Sequence, residues 1–207
     1  MGLETDLEMG LDRMGLAVPA EARDKLLAFV DLLLKWNRVY NLTALRDREA
    51  VLATHIFDSL SVLKHLPPGS LLDVGSGGGL PGIPLAICDP SRAVTLVESN
   101  QKKSAFQLQA SIELGLKNIN IVCKRAEAFC PAAGFDVVIS RAFSSITDFV
   151  KIAGHLCLES GRLAAMKGMF PEEEIAQLPP LFHVEQSIAL EVPGVKGARH
   201  LILIRHS

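Results

Sequence analysis

Between residues 71 and 82 the chain reads Leu-Leu-Asp-Val-Gly-Ser-Gly-Gly-Gly-Leu-Pro-Gly. A short apolar run, an acidic residue and four glycines within five positions precede an apolar, helix-like stretch from Ile83 to Cys88. That order predicts strand, tight turn and helix. Glycine is favoured where the backbone takes positive φ or where a ligand must approach it closely. A turn that opens a helix also leaves N–H groups without intrahelical partners, aimed at whatever sits there. One or two glycines suffice for an ordinary strand-to-helix turn; four in five positions point to a bound ligand.

Two ligand classes fit the pattern. Gly77 to Gly82 match G-x-G-x-x-G, the dinucleotide pattern, and Glu98 lies near the position expected to meet a ribose. Asp73 to Gly79 equally match acidic-x-G-x-G-x-G, the first motif of S-adenosyl-L-methionine (AdoMet) methyltransferases. The surrounding pattern separates them. Leu3, Leu7, Leu11 and Met14 recur at helical spacing, with Gly15 as a C-cap. Pro19 opens a second helix to about Tyr40, apolar on Leu26, Phe29, Val30, Leu33, Trp36 and Tyr40. A third helix is expected from about Arg48 to Leu66, stopped by Pro67-Pro68. From Ser70 onward, apolar runs at 70–74, 93–98, 118–123, 135–140 and 161–166 alternate with helical stretches, the pattern of an open, mainly parallel sheet. Leu181 to Val192 and Ala198 to Arg205, joined through Pro193-Gly194-Val195-Lys196-Gly197, read as an antiparallel hairpin.

The expected fold class is therefore α/β, a Rossmann-like AdoMet-dependent methyltransferase fold. Its seven-stranded, mostly parallel sheet ends in an antiparallel hairpin, and an N-terminal helical lobe (1–66) precedes the methyltransferase domain (67–207). AdoMet is favoured over a dinucleotide on three grounds. Asp73 suits a cofactor with a positively charged methionine end, the terminal hairpin fits, and 207 residues leave no room for a dehydrogenase's usual substrate domain.

Composition sets the outer limits. Hydrophobic residues at 49% against 21% charged describe a globular chain, long enough for one well-cored domain and a small appendage. No apolar run reaches the roughly 18 residues of a membrane span, and Asp31 interrupts the nearest approach, Leu26 to Leu34. A soluble, cytoplasmic protein is expected. Cys88, Cys123, Cys130 and Cys157 show no C-x-x-C spacing and read as buried thiols of a reducing compartment, not as disulfides or metal ligands. A net charge of −2 does not mark a nucleic-acid binder, so an RNA substrate would rest on a local patch.

Ligands of open α/β sheets bind beyond the carboxyl ends of the strands. Those ends carry Asp73 and Gly75, then Glu98, then Lys124-Arg125-Ala126-Glu127, then Ser140-Arg141, then Lys167-Gly168. Five strands that deliver charge to one edge define the expected cleft. Glu98 would accept hydrogen bonds from ribose hydroxyls, and Ala126 with Glu127 would meet the adenine. His55, Asp58 and Ser59 resemble hydrolase residues but crowd within two turns of one expected helix, with no nucleophile elbow. They read as an interhelix polar contact or a cap over the cleft. No Pro-Cys of cytosine-5 enzymes and no Asn/Asp-Pro-Pro-Tyr/Phe of adenine-N6 enzymes is present.

Trp36 to Thr43, His55 to Leu60, Asp73 to Ile87 and Glu98 to Lys103, with Ser140-Arg141-Ala142-Phe143 and Met166-Lys167-Gly168, resemble ribosomal RNA small-subunit methyltransferase G, also called glucose-inhibited division protein B. The resemblance spans nearly the whole chain. It implies AdoMet-dependent N7-methylation of one guanine in bacterial 16S rRNA; 16S rRNA or the small ribosomal subunit is the expected partner, and a monomer the expected state. It places cofactor contacts at Gly75, Leu80, the Glu98 neighbourhood, Ala126, Glu127 and Arg141; Gly77 of the glycine turn is expected to join them. Guanine N7 carries a lone pair and no proton, so no general base is required. Arg141 and Lys167 are then expected to hold anions, the methionine carboxylate and RNA phosphates. Further phosphate contacts are expected among Arg38, Arg46, Arg48, Lys102, Lys103, Lys124, Arg125, Lys196, Arg199 and His200. The alternatives are an NAD-binding oxidoreductase, a non-catalytic AdoMet-binding module, and a small-molecule methyltransferase.

Overall fold

The apolar run before the glycine turn becomes the middle of a sheet. The structure, a computed structural model, describes residues 2–141, 143 and 145–207, so Ala142 of the Ser140 to Phe143 motif lies outside the described residues. Strand β1 (Leu71–Val74) has parallel partners on both edges, pairing Leu71 with Val94 of β2 (Val94–Val97) and with Val137 of β4 (Phe135–Ser140). A strand flanked on both edges and covered on both faces must be nearly all apolar, and all four of its residues are buried. Strand β3 (Ile119–Val122) lies beyond β2, and β5 (Cys157–Lys167) beyond β4. Strand β7 (His200–His206) inserts antiparallel between β5 and β6 (Phe182–Ala189). The order β3-β2-β1-β4-β5-β7-β6 is the seven-stranded, mostly parallel sheet with a reversed hairpin that the apolar pattern predicts. Strand order turns about between β1 and β4, which opens a crevice at their carboxyl ends.

Alternation along β1 sorts its side chains between two cores. Leu71 faces a cluster with Leu7 of α1 (Leu3–Arg13), Phe29 and Leu33 of α2 (Ala20–Tyr40), Ile83 of α5 (Gly82–Cys88) and Phe106 of α6 (Gln101–Glu113). Leu72 and Val74 face the other cluster, with Phe149 and Val150 of α7 (Ile146–Ala153). The N-terminal helices thus cover one face of the sheet. Phe106 anchors them, with ring centroids 6.2 Å from Phe29 and 5.8 Å from Trp36. Ring pairs of this kind add about 0.5–1.5 kcal/mol beyond burial. Side-chain oxygens cap the starts of α6 and α7: Asn100 accepts the Lys102 N–H at 2.9 Å, and Ser145 the Asp148 N–H at 3.0 Å.

The third helix is not the single α-helix expected over 48–66. Asp47 caps a short α3 (Arg48–Val51), which runs into a π-helical turn (Leu52–Phe57) and then α4 (Asp58–Leu60). A separate 3₁₀ turn (Leu63–His65) precedes Pro67. Wide turns of this kind are frequent at functional sites. This one buries Leu52, Ile56 and Phe57 while Thr54, His55 and Asp58 border a cavity. The cysteines also differ from expectation. All four are free, but only Cys157 is buried; Cys88 is half-buried, and Cys123 and Cys130 are exposed where the chain leaves β3 along the surface. No described helix is long and apolar enough to cross a membrane. The short α8 (Glu172–Ala176) links β5 to β6.

Candidate active site

The glycine turn is held from beneath and from the side. Asp73 shares the α5 face of β1 with Leu71; it is fully buried, and its Oδ2 accepts the Gly82 N–H at 2.8 Å. Burial pushes its carboxyl up to about 7. It borders none of the cavities beyond the strand tips; its bond to the Gly82 N–H fixes the turn. Gly75, Gly77 and Gly79 take φ of +70°, +54° and +76°, the left-handed region that explains their number. Glu98 Oε2 accepts the Gly77 N–H at 2.9 Å and its Oε1 the Asn100 N–H at 2.8 Å. Gln107, buried on α6, donates from Nε2 to Ser76 Oγ at 2.9 Å and to Gly77 O at 2.8 Å. No local motif marks Gln107; a glutamine on the buried face of a helix was the only cue.

Three cavities adjoin in series along the carboxyl ends of the strands. One of about 230 Å³ is bounded by Gly75, Glu98, Ala126 and Glu127, with Val97 and Phe143 as apolar walls. The next, about 260 Å³, shares Gly75 and adds His55, Gly77, Leu80, Lys103 and Arg141. A third, about 350 Å³, shares His55 and Arg141 and extends to Asp58, Lys167, Arg199 and His200. Every residue expected at the cofactor site therefore borders the first two cavities, and Lys167 joins Arg141 in the third.

Two ionic arrangements shape the far end. Asp58 is buried, and its Oδ2 accepts from Arg141 Nη1 at 3.0 Å while its Oδ1 accepts from Arg199 Nε at 3.0 Å. Lys167 Nζ lies 2.9 Å from Glu174 Oε2, which also accepts the Ile146 N–H at 2.7 Å. His55 Nε2 is 2.7 Å from Thr43 Oγ1, and its Nδ1 has no partner among the described residues. Burial, helped by the Arg141 charge, brings the His55 pKa down to about 4, so the ring is neutral at pH 7. His55 and Asp58 thus border the cleft, as one of their two expected readings had it, whereas Ser59 is buried away from it. What sequence could not show is that the Asp58 partners lie 83 and 141 residues away.

The remaining basic residues divide by place. Arg38, Arg46 and Arg48 border a groove of about 530 Å³ on the helical lobe together with Lys35. Within it Arg46 Nη1 donates to Thr43 O at 2.7 Å, and Arg48 pairs with Asp31 at 2.9 Å. Lys124 and Arg125 border the first cavity, Lys103 the second, and Arg199 and His200 the third. Lys102 lies over the Tyr40 ring at 6.0 Å, and Lys196 is exposed on the hairpin turn.

The two shifted groups pull stability in opposite directions. Asp73, raised from 3.8 to about 7, contributes fully below pH 3.8, and that contribution is lost as pH rises to about 7. His55, lowered from 6.5 to about 4, contributes fully above pH 6.5, and that contribution is lost as pH falls to about 4. The two offset one another between those limits. Asp73→Asn removes one arm, so stability of the variant should climb with pH across that window, by about 3–4 kcal/mol more than in the parent. Denaturant titrations over a pH series test this; parallel profiles for variant and parent would contradict it.

Comparison with known proteins gives the site its family. The model of the family described as rRNA small subunit methyltransferase G matches residues 22–202. A Nitrosospira multiformis protein named ribosomal RNA small subunit methyltransferase G is 49% identical over 214 residues, covering 100% of this chain and 99% of its own length. One of the same name from Aromatoleum aromaticum is 51% identical over 206 residues, covering 97% of this chain and 98% of itself. Among solved structures, TrmN from Thermus thermophilus superposes with a TM-score of 0.58 at 21% identity, over 83% of this chain and 53% of that one. The mitomycin 7-O-methyltransferase MmcR does so with a TM-score of 0.62 at 16% identity, over 78% of this chain and 56% of that one. These two likenesses concern the fold, a Rossmann-like methyltransferase architecture. With a family model matched over most of its length and relatives at about half identity from end to end, the chain belongs to the rRNA small subunit methyltransferase G family.

Proposed function

We propose that this protein transfers the methyl group of AdoMet to N7 of a guanine in 16S rRNA. Gly75, Gly77, Leu80, Glu98, Ala126, Glu127 and Arg141 would hold the cofactor. The observation that carries this reading is the series of cavities along the strand tips, at the point where strand order turns about, in a member of this family. The residues present fit AdoMet. A Cβ added to Gly77 would meet nothing nearer than Gly75 O at 3.8 Å, so open space fronts the turn. Each Glu98 oxygen takes one N–H and keeps accepting capacity for a ribose hydroxyl. Val97, Ala126 and Phe143 offer apolar surface for a purine.

When bound, AdoMet supplies an electrophilic methyl carbon on a positively charged sulfur. The protein's task is to hold guanine N7 in line with it in a dry cleft. N7 has a lone pair and no proton, so no side chain need act as a base. The purine becomes cationic as the new bond forms, and an uncompensated cation beside it would oppose the transfer. Asp58, shared between Arg141 and Arg199, offsets one of the two, Glu174 offsets Lys167, and His55 stays neutral. Arg141 would take the methionine carboxylate with N–H groups not spent on Asp58, and Lys167 an RNA phosphate. A-form RNA hides N7 in a deep, narrow groove, so the target nucleotide should be unpaired or splayed out. In this reading residues 1–66 flank the cleft as a lobe, residues 67–207 carry the chemistry, and the protein acts as a monomer in the bacterial cytoplasm.

Incubation with methyl-labelled AdoMet and small-subunit RNA tests the proposal: label should enter RNA as 7-methylguanine. Affinity for that RNA should also fall steeply with salt, on the order of 50-fold for a fourfold rise if four phosphates are contacted. AdoMet binding with no transfer to RNA, or salt-insensitive RNA binding, would contradict it.

A further inference from the structure

Beyond β5 the chain reads Gly168-Met169-Phe170-Pro171 before α8 begins at Glu172. Of the nine phenylalanines, Phe170 alone is exposed among the described residues, at 47%, and Met169 beside it is exposed at 83%. Single apolar side chains on a surface are ordinary. This aromatic differs in being held in place. Phe170 precedes the buried Pro171, which biases its backbone toward extended conformations. Its ring meets the His200 ring edge to face, with centroids 5.7 Å apart and planes at 68°. His200 is itself anchored. It lies in β7 between Lys167 of β5 and Ala189 of β6, and its Nδ1 donates to the Gly168 carbonyl at 2.9 Å. The Phe170 ring is thus oriented before any partner arrives, and an edge-to-face contact leaves at least one of its faces clear of His200.

Where the ring sits decides what that face can meet. Gly168 and His200, which bracket it, border the third cavity at the ends of β4 and β5; Met169 and Phe170 lie beside that cavity without lining it. In the RNA-methylation reading the target guanine is unpaired or splayed out. Drawing one nucleotide out of a stack uncovers a face of the base next to it. An aromatic side chain beside the point of entry can cover that face again, whatever the base, because every base has a π-face. The ring carries no charge, so its contribution is separate from the phosphate contacts assigned to basic residues.

We propose that Phe170 is a stacking platform for an unpaired base adjacent to the target guanine, with Met169 extending the apolar surface. The inference rests on the RNA-methylation reading above. It adds a contact to a neighbouring nucleotide, outside the cavities that line the strand tips.

The test uses the full chain with AdoMet and small-subunit RNA, in the parent and in Phe170→Ala, Phe170→Leu and Phe170→Trp. Because the side chain is exposed, all three variants should melt close to the parent. Phe170→Ala should raise the KM for RNA about tenfold, about 1.4 kcal/mol, within the span of one base–aromatic stack. Its kcat should stay within about twofold, since a stack made equally in ground and transition states moves KM alone. AdoMet affinity by calorimetry and the log–log salt slope should match the parent, because no phosphate contact is lost. Phe170→Trp should restore the KM, and Phe170→Leu should not, because leucine offers apolar surface without a π-face. A Phe170→Ala protein with the parent's RNA KM would overturn the inference while leaving the function standing. Recovery in Phe170→Leu equal to that in Phe170→Trp would overturn it too, by marking plain apolar packing. A parent protein that transfers no methyl group to RNA would instead overturn the reading beneath it.

Discussion

Gly77→Asn is expected to fold nearly as well as the parent and to lose AdoMet, whereas Gly79→Ala is expected to be clearly destabilised. The two glycines sit two residues apart with similar positive φ, +54° and +76°, but face different surroundings. A Cβ at Gly77 enters open space, with Gly75 O at 3.8 Å as its nearest neighbour. Asparagine tolerates the left-handed region better than other residues with side chains, so the backbone cost should stay near about 1 kcal/mol. Its side chain would occupy the space fronting the turn, and AdoMet affinity should fall on the order of 100-fold, about 3 kcal/mol. A Cβ at Gly79 would lie 2.3 Å from Ile83 Cδ1 and 2.8 Å from its Cγ1, inside the core under α5. The Ile83 side chain would have to give way, and overpacking of this kind costs about 1–3 kcal/mol on top of the backbone strain. Thermal melts paired with calorimetry separate the effects. A Gly77→Asn protein that binds AdoMet normally would remove the turn from the ligand site.

Arg141→Ala should weaken AdoMet binding about 10- to 100-fold, the loss of a charge-assisted contact to the methionine carboxylate worth about 1.5–3 kcal/mol. Arg141 is anchored by Asp58 at 3.0 Å and by the Thr54 carbonyl at 3.4 Å, so its position is set before any ligand arrives. The variant keeps Asp58 paired through Arg199, which limits the penalty of a stranded carboxylate. Arg141→Lys should recover only part of the affinity, because an ammonium cannot reach both acceptors and a carboxylate as a planar fork does. Unchanged AdoMet binding and turnover in Arg141→Ala would refute this role.

How far each feature could be read in advance follows from the range of the forces that set it. The strands β1 to β4 and the terminal hairpin were legible because continuous apolar runs between turn residues are local signals. The places of Gly75, Glu98 and Arg141 at strand tips followed from the alternation of strand and helix, whereas the strand order that sets the switch point between β1 and β4 did not. Asp73 was legible as a motif but not in its direction. Period-two alternation sends it toward α5 with Leu71, where it meets the Gly82 N–H. The π-helical turn over Leu52–Phe57 left no trace in residue spacing, since an α-helix would bury nearly the same set. The Asp58 bridge was out of reach of local pattern because its partners come from β4 and from the far end of the chain. Cys123 and Cys130 were misplaced by treating cysteine as a core residue, when both lie on surface segments after β3.

A crystal structure of the protein with AdoMet bound tests the central claim most directly. Its adenosine should lie beyond β1 and β2, with ribose hydroxyls on Glu98 and the adenine beside Ala126 and Glu127. Its methionine end should pass Gly75 and Gly77 toward Arg141, leaving the methyl carbon near the boundary formed by His55 and Arg141. A nucleoside bound anywhere else, with the strand tips bare, would contradict the account.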